Sequence, residues 1–202
     1  MRVVIVGHGP SLKKAGHGKE IDRFDKVIRL KNCHMLLAEP EDYGTRTDVL
    51  CTSTETLYNL PKLKATEYWG YPKKGLYSLA RVRQAERHVG EIYIDLETCN
   101  LWNCAFLELG GKHPNVSTGT GALIMALEKF KPSQVCLAGF DNVMNPKIDG
   151  YQCTVPTPFN DGGSKDTGHD WQTENKLLPF LAMFFQSEIT DFSGHIISPG
   201  RV

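Results

Sequence analysis

The stretch Val3-Val4-Ile5-Val6-Gly7-His8-Gly9-Pro10-Ser11 constrains the fold more than any other part of the chain. Four β-branched residues in a row suit a short strand buried on both faces, as in a parallel sheet covered by helices. The run stops at two glycines, where the backbone can turn sharply and can be closely approached. A strand that ends in a small-residue turn at its carboxyl end is where open α/β sheets bind nucleotides. The turn is equally compatible with an ordinary strand-to-loop connection, because the dinucleotide fingerprint is incomplete.

The rest of the chain repeats the alternation. Strands are expected at 3–6, 26–30, 48–52, 91–95 and 134–139, with weaker candidates at 67–71 and 188–192. Helices are expected at 96–108, 118–130 and 170–186. Strands alternating with helices argue for an α/β, mainly parallel sheet with helices on both faces. At 202 residues, a single domain spanning 1–202 can bury a substantial core. Lys and Arg together number 23, as do Asp and Glu, so bulk charge announces neither a nucleic-acid nor a membrane partner. No apolar run approaches the roughly 18 residues of a membrane span, and no secretory signal precedes the first strand, so a soluble cytoplasmic protein is expected.

Several segments carry candidate chemistry. Ser117 or Thr118 is a natural N-cap for the 118–130 helix, whose first-turn amides suit a phosphate or carboxylate. Gly119 and Gly121 would let a ligand approach that turn. Asp141 follows the 134–139 strand and is positioned to line a site. The hydroxyls of Thr52, Ser53 and Thr54 could meet a sugar or phosphate, or cap a helix. Residues 62–88 are locally basic and contain Tyr68, Trp69, Tyr71 and Tyr77; they form either a solvated face or a surface for an acidic acceptor or a nucleic-acid backbone. A Gly- and Asp-rich segment, 149–168, suits an active-site lid. It leads to His169, and histidine suits general-base work because its unperturbed pKa is about 6.5. Glu174 lies five residues on, roughly 140° around a helix, so it is given a supporting role. The six cysteines lack zinc-type spacing, and Cys99 and Cys104 read as free buried thiols. No metal ligand set is evident.

The order of these segments resembles glycosyltransferase family 29, the sialyltransferases. Val3 to Leu12, Ile21-Asp22 and Asp25-Lys26-Val27-Ile28-Arg29 are similar to that family's large donor motif. His113-Pro114 through Gly121, followed by Gly139-Phe140, is similar to its small motif, and His169 with Glu174 matches its very short motif. The resemblance implies a single-domain, Rossmann-like, sialyltransferase-type variant of the GT-A fold. It implies inverting transfer of sialic acid or a related sugar from a CMP-sugar donor to a glycan or other hydroxyl acceptor, without metal or cofactor. His169 would be the general base. Gly7, His8, Gly9, Ser11, Asn32, Ser117, Thr118, Gly119 and Glu174 would serve donor binding.

The chain also departs from the family. His8 replaces the Asn between the glycines, and Lys31 stands where a second Asn is expected, with Asn32 one position late. An aromatic third motif before His169 is not evident. The two cysteines of the animal enzymes' disulfide are not at their places, which fits a reducing compartment. Without the Golgi enzymes' anchor and stem, the expectation is a compact soluble microbial or viral relative. Two alternatives stay open: a glycosyltransferase acting on modified DNA bases with a different nucleotide sugar, served by the 62–88 region, and a non-catalytic nucleotide- or sugar-binding module.

Overall fold

The computed structural model describes residues 1–31, 33–59, 65–73, 79–144, 169–193 and 195–197. In chain order its regular elements are β1 (Arg2–Val6), α1 (Gly18–Ile21), β2 (Lys26–Leu30), α2 (Pro40–Tyr43), β3 (Val49–Ser53), β4 (Glu67–Tyr71), α3 (Leu79–Val89), β5 (Ile92–Tyr93), α4 (Leu96–Glu108), α5 (Thr118–Phe130), β6 (Gln134–Ala138), α6 (Asp141–Met144), α7 (Trp171–Phe185), β7 (Glu188–Thr190) and β8 (Ile196–Ile197).

The strands form one sheet in the order β5-β4-β3-β2-β1-β6-β7-β8. Every pair is parallel except β7 with β8. The chain walks outward from β1 through β5, then returns to the other side of β1 as β6. The direction of winding therefore reverses between β1 and β6. That reversal opens a crevice at the carboxyl ends of the two strands, where such sheets hold ligands.

β1 is buried on both faces because both faces are covered. Val3 and Ile5 join a core with Leu123 and Leu127 of α5 and Leu177 and Leu181 of α7. Val4 and Val6 join a second core with Leu12, Ile21, Phe24, Leu36 and Tyr43. α3 closes the far end of the sheet through Val82 and Ala85, packed with Ile92 and Leu57. No helix of the described residues is long and apolar enough to cross a membrane.

The structure departs from the sequence-based expectations at several points. The strand expected at 91–95 is only Ile92–Tyr93, because Asp95 becomes the N-cap of α4, accepting from the Thr98 amide at 3.0 Å. α3 and β8 were not expected. Trp69 and Tyr71 are fully buried; Trp69 packs on Tyr93 and Phe130, so neither ring can stack on a base. Of the described aromatics at 62–88 this leaves only Tyr68, which is half-buried against the cluster of Leu57, Val82 and Ile92, and Tyr77 lies outside the described residues. Thr52, Ser53 and Thr54 are buried, and Thr56 Oγ1 lies 2.7 Å from Thr52 Oγ1 and 3.0 Å from Ser53 Oγ, so this cluster closes on itself. Cys99 is a buried free thiol, but Cys104 is exposed. The 149–168 lid expectation lies outside the described residues.

Candidate active site at the carboxyl edge of the sheet

Much of the segment resembling a donor motif is scaffold. The fully buried Arg29 donates from Nε to the Arg46 carbonyl (2.8 Å) and from its second nitrogen to the Tyr43 carbonyl (2.7 Å). Arg46 in turn donates to the Phe24 (2.6 Å) and Asp25 (2.8 Å) carbonyls and pairs with Asp48 at 2.9 Å. Asp22 accepts from the Thr45 and Arg46 amides. Burial by itself would raise the Asp22 carboxyl, but those hydrogen bonds hold it below the usual range. These contacts tie β2 to the loop that leads into β3.

The Gly-rich turn after β1 is seated against the end of β6. The Gly7 and Gly9 amides donate to the Ala138 and Gly139 carbonyls, both at 2.8 Å. The Ser11 amide donates to Asp141 Oδ2 at 2.9 Å. A Cβ on Gly9 would stand 2.5 Å from Asp141 Oδ2 and 2.6 Å from the Gly139 oxygen. Glycine is thus required here by a neighbouring backbone, and three alternate amides of the turn are already engaged by the chain itself. Burial lowers the half-buried His8 to about 4, so its imidazole is neutral at ordinary pH and can both donate and accept.

α5 begins beside this turn. Ser117 is its N-cap, accepting from the Thr120 amide at 3.2 Å. Gly119 faces the Phe140 ring and Gly121 faces Tyr71, so these glycines make room for aromatic side chains of the fold. Glu174 reaches across from the first turn of α7. Its Oε1 accepts from the Ser117 amide (2.8 Å), and its Oε2 accepts from Ser117 Oγ (2.7 Å) and from Thr120 Oγ1. Burial pushes Glu174 up to about 7 against the pull of those hydrogen bonds. It therefore clamps the start of α5 from within.

His169 lies immediately before the N-cap of α7, outside the helix, so the helical-wheel separation from Glu174 does not apply. The N-cap is Asp170, whose Oδ1 accepts from the Thr173 amide at 3.1 Å. Asp170 Oδ2 also accepts from the Lys112 amide at 3.3 Å, which brings residue 113 beside 169. The Tyr71 hydroxyl and the Val116 amide both donate to Asn103 Oδ1, at 2.9 and 3.1 Å, drawing the end of β4 to the same place. Burial first, then the charges of Lys73 and His113, lower His169 to about 4. Its ring packs 4.7 Å from that of Trp171.

Gly7, His8, Gly9, Ser11, Ser117, Thr118, Gly119, His169 and Glu174 are thus gathered along one edge of the sheet, linked through Phe140, Asp141 and Glu174. Asn32 lies outside the described residues. Sequence reasoning gave Asn103 no role, placed Lys73 only within the basic 62–88 region, and placed His113 only at the start of the segment resembling the small motif. The Asp170-x-x-Thr173 spacing was a readable capping signal; nothing in sequence joins Tyr71, Asn103 and Val116.

The family model for glycosyltransferase family 29 (sialyltransferase) matches residues 1–84. A mammalian sialyltransferase solved in complex with Gal-beta-1-3GalNAc-ortho-nitrophenol is similar in fold, with TM-score 0.54 and 20% identity over 96% of this chain and 70% of that one. A second mammalian sialyltransferase structure gives TM-score 0.53 and 19% identity, covering 96% and 69%. No curated protein sequence matches the chain significantly. Together these findings show a likeness to the sialyltransferase family over residues 1–84 and a fold shared with sialyltransferases over most of the chain.

Proposed function

Taking residues 1–84 as the sialyltransferase-family segment, we propose that this chain is an inverting glycosyltransferase that uses a CMP-sugar donor, sialic acid or a relative, and a glycan hydroxyl as acceptor. Its fold is then a Rossmann-like variant of the GT-A type. The supporting observation is electrostatic: Lys73 and His113 bear on His169 at the carboxyl edge, beside the first turn of α5. A donor of this class carries a phosphate that gains charge as the glycosidic bond breaks. Lys73, His113 and the positive end of the α5 dipole would stabilise that charge. His169, neutral because it is buried among cations, would take the proton of the acceptor hydroxyl. Glu174 positions Ser117 and Thr120 and stays clear of the reacting atoms. The free thiols of Cys51, Cys99, Cys104 and Cys136 support a reducing compartment such as the cytoplasm.

Calorimetry and turnover test this reading. CMP should bind more tightly than UMP or GMP, and the chain should transfer from CMP-sialic acid to the disaccharide Gal-beta-1-3GalNAc or a related acceptor. His169→Ala should lose at least about 100-fold in turnover, as loss of a general base does, while keeping CMP affinity. Equal binding of all three nucleotides would redirect the donor assignment, and a fully active His169→Ala would remove His169 from the chemistry.

A further inference from the structure

Most of the large apolar side chains that the described residues leave exposed lie on two helices, α4 and α7. The pair runs antiparallel. The Trp102 ring packs 5.4 Å from that of Phe184 and 5.8 Å from that of Phe185, while the Lys112 amide, past the end of α4, donates to Asp170 at the start of α7. α4 buries Cys99, Trp102, Asn103 and Phe106. Its opposite face presents Leu101, Cys104 and Leu107, and Leu101 is 59% exposed. α7 adds Phe180, Met183 and Phe184, the last 62% exposed. The aromatic and aliphatic side chains of this face open roughly 500 Å² of apolar surface, the upper part of what a monomer leaves uncovered. With a polar rim the face approaches the ~800 Å² that each partner gives to a standard interface.

The α4 face has a symmetry of its own about Cys104. Leu101 and Leu107 stand three residues before and after it, and Asn100 and Glu108 stand four before and after. Spacings of three and four keep all five on one side of the helix. An antiparallel α4 pair with Cys104 at a two-fold axis therefore sets Leu101 of one copy level with Leu107 of the other. It also sets Asn100, whose amide donates, level with Glu108, whose carboxylate accepts. Glu97, seven residues before Cys104, comes level with residue 111, next to Lys112. A carboxylate of each copy thus meets an ammonium group of the other at both ends of the pair. Such self-complementarity is what a two-fold interface requires. The same rim does not suit an anionic bilayer, because Glu97 and Glu108 share the apolar face where bilayer-binding helices carry Lys and Arg.

We propose that this face joins two copies of the chain in a two-fold dimer, α4 antiparallel to α4, with Cys104 at the axis. None of its residues belongs to the candidate active site, so the inference does not rest on the transferase reading.

Sedimentation velocity on the full, reduced chain should show a species of twice the 22.6 kDa chain mass that gives way to monomer on dilution. Leu101→Glu and Leu107→Glu put a carboxylate into the middle of the pair at exposed positions, so their circular dichroism should match the parent. Each should raise the dimer dissociation constant at least about thirtyfold, the scale of a lost central contact. Helix axes about 8–10 Å apart bring facing Cα atoms at an axis to roughly 5 Å, within disulfide reach. Diamide, which takes up the hydrogens of two thiols, should therefore link the parent through Cys104. Cys104→Ser should stay unlinked and still form the reversible dimer. This cross-link reads the interface even if a glutamate variant does not fold. A chain that is monomeric at every concentration overturns the proposal, including one that instead sediments with phosphatidylserine vesicles. So does a dimer that withstands both glutamate variants, or one that diamide does not link through Cys104.

Discussion

At the scale of single residues, the two histidines of interest share a cause but differ in surroundings. His8 is lowered to about 4 by burial, and His169 is lowered to the same value by burial followed by Lys73 and His113. Below pH 6.5 the unfolded chain protonates both and the folded chain does not, so their contribution to stability is complete above 6.5 and is lost as pH falls toward 4. For His169 the consequence extends to activity. The acid limb of kcat/KM should fall near pH 4, because that parameter reports the free protein. Lys73→Met or His113→Gln removes a neighbouring positive charge and should move the limb upward, toward the ordinary histidine value. A pH–rate series on the parent and both variants checks this; a limb that stays put in both would show that other groups control it. Gly9 supplies a different residue-scale prediction. A methyl group there would collide with Asp141 and the Gly139 oxygen, so Gly9→Ala should cost about 2 kcal/mol or more in chemical denaturation, the overpacking range.

At the scale of elements, one contact joins two helices from distant parts of the chain. Glu174 on α7 holds Ser117 and Thr120 at the start of α5. Its carboxyl is raised from 4.5 to about 7, so the folded chain keeps a proton that the unfolded chain has lost between those values. Its contribution to stability is therefore complete below pH 4.5 and declines as pH rises to 7. Glu174→Gln, which has no such titration, should be less stable than the parent at pH 4.5 by more than at pH 8. The gap should close by a few kcal/mol, at about 1.4 kcal/mol per pKa unit. Urea denaturation at the two pH values measures it, and parallel profiles would contradict the buried-carboxyl account. Arg29 plays the matching part for β2. Arg29→Met strands the Tyr43 and Arg46 carbonyls inside the protein, and should cost about 2–4 kcal/mol. Elements were unevenly legible for physical reasons. β1 announced itself because a strand buried on both faces requires an unbroken apolar run, and β2 and β6 did so through shorter apolar stretches, Val27-Ile28 and Val135 to Ala138. α3 did not, because it buries only Val82 and Ala85 and leaves Arg81, Arg83 and Arg87 exposed. Two apolar positions in a charged segment do not define a helical face.

At the scale of the molecule, the sheet is most deeply covered at its centre and thins toward both edges. Val3 through Val6 and Val135 are fully buried, whereas β5 and β8 are two-residue strands. Hydrogen exchange should therefore find the amides of β1 and β6 opening only with global unfolding, and those of β5 and β8 opening at much lower free energy. Comparable protection across all strands would mean that the edges are stabilised by something other than these contacts.

What the amino-acid sequence settled alone were features that depend on neighbours along the chain. These were the alternation of strands and helices, a hydroxyl cap at Ser117 or Thr118, and the order of segments resembling sialyltransferase motifs. Local backbone preference and side-chain periodicity carry such information directly. Tertiary structure decided what each segment faces. It turned Trp69 and Tyr71 from apparent stacking surfaces into core, and set the Gly7 and Gly9 amides against β6. It also placed Glu174 beneath α5 and brought His17 to Phe192. Each of these depends on groups far apart in sequence meeting at a few ångströms, and the free energy of such a contact exists only once the sheet has brought them together.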